Sequence, residues 1–148
     1  MHKKILVGLD GSKHAIEAAQ EAIALATASD AELHLLTVTR PYKVSAKLRQ
    51  FLEAENLLGE PKYVMDEMTS NIISAAKELA TNAGVKNVSS IIREGKPART
   101  LLDYAKSHGI DLIVIGARGV GEMESALLGS VSQKVSMLSP CTVTIVRG

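Results

Sequence analysis

Two rhythms of apolar residues run along this chain. Five short runs are nearly continuous: Lys4–Leu9 (KILVGL), Glu32–Val38 (ELHLLTV), Asn87–Arg93 (NVSSIIR), Asp111–Gly116 (DLIVIG) and Thr142–Arg147 (TVTIVR). Runs of this length predict strands covered on both faces. Between them, apolar positions recur at helical spacing. Ser12 can cap a helix with Ile16, Ala19, Ile23 and Ala26 on one face. Met65, Met68, Ile72, Ala75, Leu79 and Ala83 form a second stripe, which Gly84 can end. Pro97 and Gly109 bracket a third helix, with Ala98, Leu101, Leu102 and Ala105 facing inward. A fourth starts at Ser130, puts Val131, Val135 and Leu138 on one side, and stops before Pro140.

The order β-α-β-α-β-α-β-α-β predicts an α/β fold: one open parallel sheet with right-handed crossovers and helices on both faces. No repeat or second domain interrupts it, so residues 1–148 read as one domain. Arg40–Lys62 is longer than the connection requires. Val44, Leu48, Phe51 and Leu52 suggest a short amphipathic helix there, either a surface excursion or a lid at the carboxyl edge of the sheet.

Composition narrows the partners. With one Phe, three Tyr and no Trp, the core must be aliphatic, and a net charge of +1 points to neither nucleic acid nor a membrane surface. The single cysteine, Cys141, excludes an internal disulfide and suits a reducing compartment; beside a strand it reads as a buried structural thiol. The first apolar run ends at Asp10, too short for a signal peptide, and no run approaches a membrane span. A cytoplasmic protein is expected.

Candidate chemistry concentrates in GARGVGEMESALLGS, Gly116–Ser130. It follows the fourth strand and precedes a helix, where open α/β sheets bind ligands. Glycines there permit positive φ and close approach, and a helix N-terminus attracts anions such as phosphate. Gly116 and Gly121 have Walker A spacing, but Glu122 stands in the lysine place, and GLDGSKHA after the first strand lacks the dinucleotide fingerprint. The histidines His2, His14, His34 and His108 show no metal spacing, and His14 reads as a helix-surface residue.

The pattern that is present, Gly116-x2-Gly119-x9-Gly129-Ser130, resembles the nucleotide-binding universal stress proteins. ILVGLDGSKHA, GKPARTLLDYA, LLGSVSQKV and SPCTVTIVR extend the resemblance across nearly the whole chain. It implies a Rossmann-like, adenine nucleotide alpha hydrolase-like domain, strand order 3-2-1-4-5, binding ATP or a related adenine nucleotide such as AMP or a cyclic one. Carried over, Asp10 lies beside the adenosine or a Mg²⁺ ion, and Val38 meets the adenine. Gly116 and Gly119 approach ribose and phosphates, and Gly129, Ser130 and Val131 hold phosphates through amides and a hydroxyl. Gly8, Leu9, Ile115 and Arg118 complete the lining. The resemblance also implies a homodimer through the last strand, Thr142–Arg147, and a stress or signalling role exercised on a protein partner.

The residues themselves leave competing roles open. Ser130 and Gln133 match a capping box, Asp10 matches a turn residue, and Arg118 a solvated surface charge. Glu122 and Glu124 would repel a triphosphate unless they face solvent or hold a cation. Slow ATP hydrolysis has candidates in Asp10, Glu122 and Arg118 but no dedicated base, so binding ranks first. A non-binding relative acting through protein contacts is the third reading.

Overall fold

The computed structural model describes residues 2–40, 61–119 and 128–147, with side chains of the second helix from residue 66 onward. Residues 41–60 of the proposed lid, with its amphipathic helix, the Met65 side chain, and residues 122–125 lie outside the described residues, and Pro61 and Lys62 open the second helix. Among the described residues five strands and four helices alternate: β1 (Lys4–Gly8), α1 (Lys13–Ser29), β2 (Glu32–Thr39), α2 (Pro61–Asn82), β3 (Val88–Glu94), α3 (Pro97–Ser107), β4 (Leu112–Gly116), α4 (Ser130–Leu138) and β5 (Thr142–Val146). All pairings are parallel, in the order β3-β2-β1-β4-β5.

Register divides the core into two layers. The row Leu35–Val7–Val114 faces α1 and α2, joined there by Ala18, Ala22, Ile23, Ile73 and Ala76. On the opposite face Leu6, Ile113 and Ile115 meet Ala98, Leu101 and Tyr104 of α3 and Val135 of α4. The three central strands are buried, as their continuous apolar runs predict. β3 and β5 are the sheet's edges and are largely exposed or half-buried, so coverage on both faces does not extend to them.

One helix keeps its expected face but for one residue, and another is rotated from it. In α1 the expected Ala19, Ile23 and Ala26 are buried, joined by Ala15, Ala18 and Ala22, while Ile16 of the expected stripe lies outward at 49% exposure. In α2, Met68 and Leu79 are exposed while Thr69, Ile73, Ala76 and Ala80 are buried. Among the described residues, most of those buried on α1 and half of those buried on α2 are alanines, whereas the sequence stripes followed the bulkiest residues. Leu138 likewise lies outward, at 64% exposure. Ser12 does cap α1, its Oγ accepting from the Ala15 amide at 3.2 Å. α2 ends at Asn82, with Gly84 at φ 95° just beyond.

Candidate functional site

The crossover from β3 to β4 passes to the far side of β1, so the strand order reverses between β1 and β4. A cleft of about 1080 Å³ opens at the carboxyl ends of these strands, the usual ligand position in such sheets. Its lining brings together Gly8, Leu9, Asp10, Val38, Ile115, Gly116, Arg118, Gly119, Gly129, Ser130 and Val131. These come from four separate stretches of the chain, so the candidate residues converge on one place.

Three braces shape the cleft. The Ala117 carbonyl accepts from the Gly129 amide at 2.7 Å and from the Ser132 hydroxyl at 2.7 Å, while the Ala117 amide donates to Val146 at 2.8 Å. β4, β5 and the start of α4 are thereby locked together. Asp10 Oδ1 accepts from the Ser12 amide at 2.9 Å, a turn-stabilising bond that holds the carboxylate at the cleft's edge. His14 lies against the fourth-strand loop: its Nδ1 accepts from the Arg118 amide at 3.3 Å, and its Nε2 sits 3.1 Å from the Arg118 guanidinium. A neutral imidazole has one acceptor nitrogen, so only the amide contact is a true hydrogen bond when Nδ1 accepts. His14 is therefore a contact of the loop and Arg118 is half-buried, unlike the surface positions expected for both.

The glycines act through space rather than through φ. The described glycines with positive φ are Gly11, Gly84, Gly95 and Gly109, so Gly116 and Gly119 do not use that freedom. A Cβ on Gly116 would meet the His14 backbone carbon at 2.8 Å, and one on Gly119 would meet Asp10 Oδ2 at 2.7 Å. Gly116 thus admits α1 close to β4, and Gly119 admits the Asp10 carboxylate.

Two roles expected at the start of α4 change. The N-cap is Gly129, with φ −69°, and Ser130 is the first helical residue, so its hydroxyl does not cap the helix as a capping box requires. The Gly129 amide is engaged by Ala117, so it is not a phosphate donor. Phosphate binding would fall to the first-turn amides of residues 130–132, which point out of the helix N-terminus.

The sequence reading missed Thr37, Asp66, Thr69, Ile72, Pro97 and Ser132, all in the lining. Nothing local marks the α2 residues, because only the fold brings that helix to the cleft. Thr37 did carry a signal: it is a polar residue that continues the face of β2 presenting Leu33 and Leu35. For a cation the fit is limited. Among the described residues no cluster of three or more His, Cys, Asp and Glu could hold a metal, and one oxygen of Asp10 is already bonded. A Mg²⁺ ion would therefore come with phosphates and keep most of its waters, with Asp10 as one ligand.

Known proteins are similar to this chain in sequence and fold. The model of the universal stress protein family matches residues 1–147. Universal stress protein YxiE of Bacillus subtilis is 37% identical, covering 99% of this chain and all of its own length. The universal stress protein UspA structure from Lactobacillus plantarum superposes with a TM-score of 0.74 at 31% identity, covering 99% of this chain and 98% of its own. A universal stress protein solved in complex with cAMP has a TM-score of 0.71 at 27% identity, covering 98% of this chain and 97% of its own. Among the described residues no helix is long and apolar enough to cross a membrane. By its sheet order and these relatives the fold is adenine nucleotide alpha hydrolase-like, and the chain belongs to the universal stress protein family.

Proposed function

We propose that this chain binds an adenine nucleotide in the cleft and acts as a dimeric, cytoplasmic stress-response or signalling module. The observation that carries the reading is that the N-terminus of α4 opens onto the same cleft as Asp10 and Val38. That pairing offers phosphate a helix dipole and the amides of a first helical turn at one end. At the other end Val38 and Leu9 offer a base an apolar wall, and Asp10 offers a ribose hydroxyl an acceptor. The cAMP complex of a relative supports the ligand class. ATP with Mg²⁺ fits the same frame, with Arg118 as a further phosphate partner.

Titration calorimetry with AMP, ATP and cAMP, with and without Mg²⁺, tests the reading on wild type and Gly119→Val. A valine there must displace the Asp10 carboxylate, which a Cβ alone would meet at 2.7 Å. Micromolar binding (roughly −8 kcal/mol) by wild type, lost in a folded variant, is expected. Equal affinity in the two proteins would overturn the assigned cleft.

A further inference from the structure

Leu33, Leu35 and Thr37 share one face of β2, toward α1 and α2. The leucines are fully buried and Thr37 is 3% exposed. Its Oγ1 is sealed from solvent and has no hydrogen-bond partner among the described residues. An unpaired buried hydroxyl is a net cost to the fold, and valine, of nearly the same shape, would avoid that cost. Nothing in the packing of the sheet calls for a polar atom here.

Thr37 also belongs to the lining of the cleft. The Leu36 carbonyl accepts from the Leu9 amide at 2.9 Å, which holds the end of β2 beside the loop that carries Asp10. β1 lies between β2 and β4, so Thr37 is two strand spacings, roughly 10 Å, from the strand that leads into the phosphate end. The orphan hydroxyl therefore sits at the end of the cleft assigned to the base.

We infer that Thr37 is a specificity-determining residue whose hydroxyl hydrogen-bonds the edge of the bound purine. The inference rests on the nucleotide reading above. A hydroxyl both donates and accepts, so it matches an exocyclic amine or a ring nitrogen. Binding would then give the buried group the partner that folding denies it.

The test uses AMP as probe on wild type, Thr37→Val and Thr37→Ser, with affinity from calorimetry and Tm measured without ligand. Thr37→Val should weaken AMP binding about fivefold to twentyfold, with an unchanged or higher ligand-free Tm. Thr37→Ser should bind within about twofold of wild type, because it retains the hydroxyl. Wild-type affinity in Thr37→Val would overturn the inference, as would a lowered ligand-free Tm in that variant, which would show that the hydroxyl serves the fold. If wild type itself binds no AMP, the nucleotide reading fails and this inference fails with it.

Discussion

Tyr104 shows how one aromatic side chain organises an otherwise aliphatic layer. Burial pushes its phenol above the usual value; Arg93 opposes that shift and Glu32 adds to it. The protonated phenol donates to His34 Nδ1 at 2.6 Å, which leaves Nε2–H to face Glu32 Oε2 at 3.3 Å. The His108 ring stacks on Tyr104 at 3.8 Å. Because the folded pKa lies above that of the free phenol, the fold favours the neutral form. This contribution is complete below about pH 10 and is lost as pH rises through the folded value. Tyr104→Phe should cost about 1–3 kcal/mol at pH 7, because His34 loses a buried partner. Its stability should also fall less steeply than wild type between about pH 9 and 11. Urea unfolding across that range checks both effects, and parallel pH curves would refute the assignment. None of this cluster could be read from the sequence, because His34 and Tyr104 stand 70 positions apart.

At the level of elements, the apolar runs located all five strands, and the helix boundaries followed from Ser12, Pro97, Gly84 and Pro140. The face of α1 was legible except at Ile16 and that of α2 was not, because spacing alone cannot say how near a helix lies to its sheet. That distance is set at Gly116, where β4 and α1 touch with no room for a methyl group. The glycine therefore has a packing role that the motif alone could not separate from a ligand role. Gly116→Ala should destabilise the fold by about 1–3 kcal/mol through overpacking. Chemical denaturation should show a lower midpoint with an unchanged m-value, and a wild-type midpoint would mean that α1 does not rest on β4 as described. The candidate site was more legible than the face of α2, since its residues lie at the ends of strands, in the loops that follow them and at the start of α4. What needed the structure was the division of labour within the loop, with the Gly129 amide spent on Ala117 and the Ser132 hydroxyl fastening the same carbonyl.

For the whole molecule, two exposed features lie near each other at one end of the sheet. β5 is an edge strand, and Met137 and Leu138 at the end of α4 are 74% and 64% exposed. A second copy paired along β5 would shield that edge and cover both side chains. Light scattering should therefore report a dimer, and the double substitution Met137→Lys, Leu138→Lys should shift it toward monomer while the circular dichroism spectrum stays the same. A wild-type monomer at micromolar concentration would remove this part of the account. The central claim concerns the cleft, and it is tested most directly by a thermal shift of the wild-type protein with AMP, ATP and cAMP at millimolar concentration. Binding at a micromolar Kd predicts stabilisation of about 4 kcal/mol at a thousandfold excess over Kd, seen as a rise in Tm of several degrees for at least one of them. An unchanged Tm with every nucleotide, with and without Mg²⁺, would contradict it.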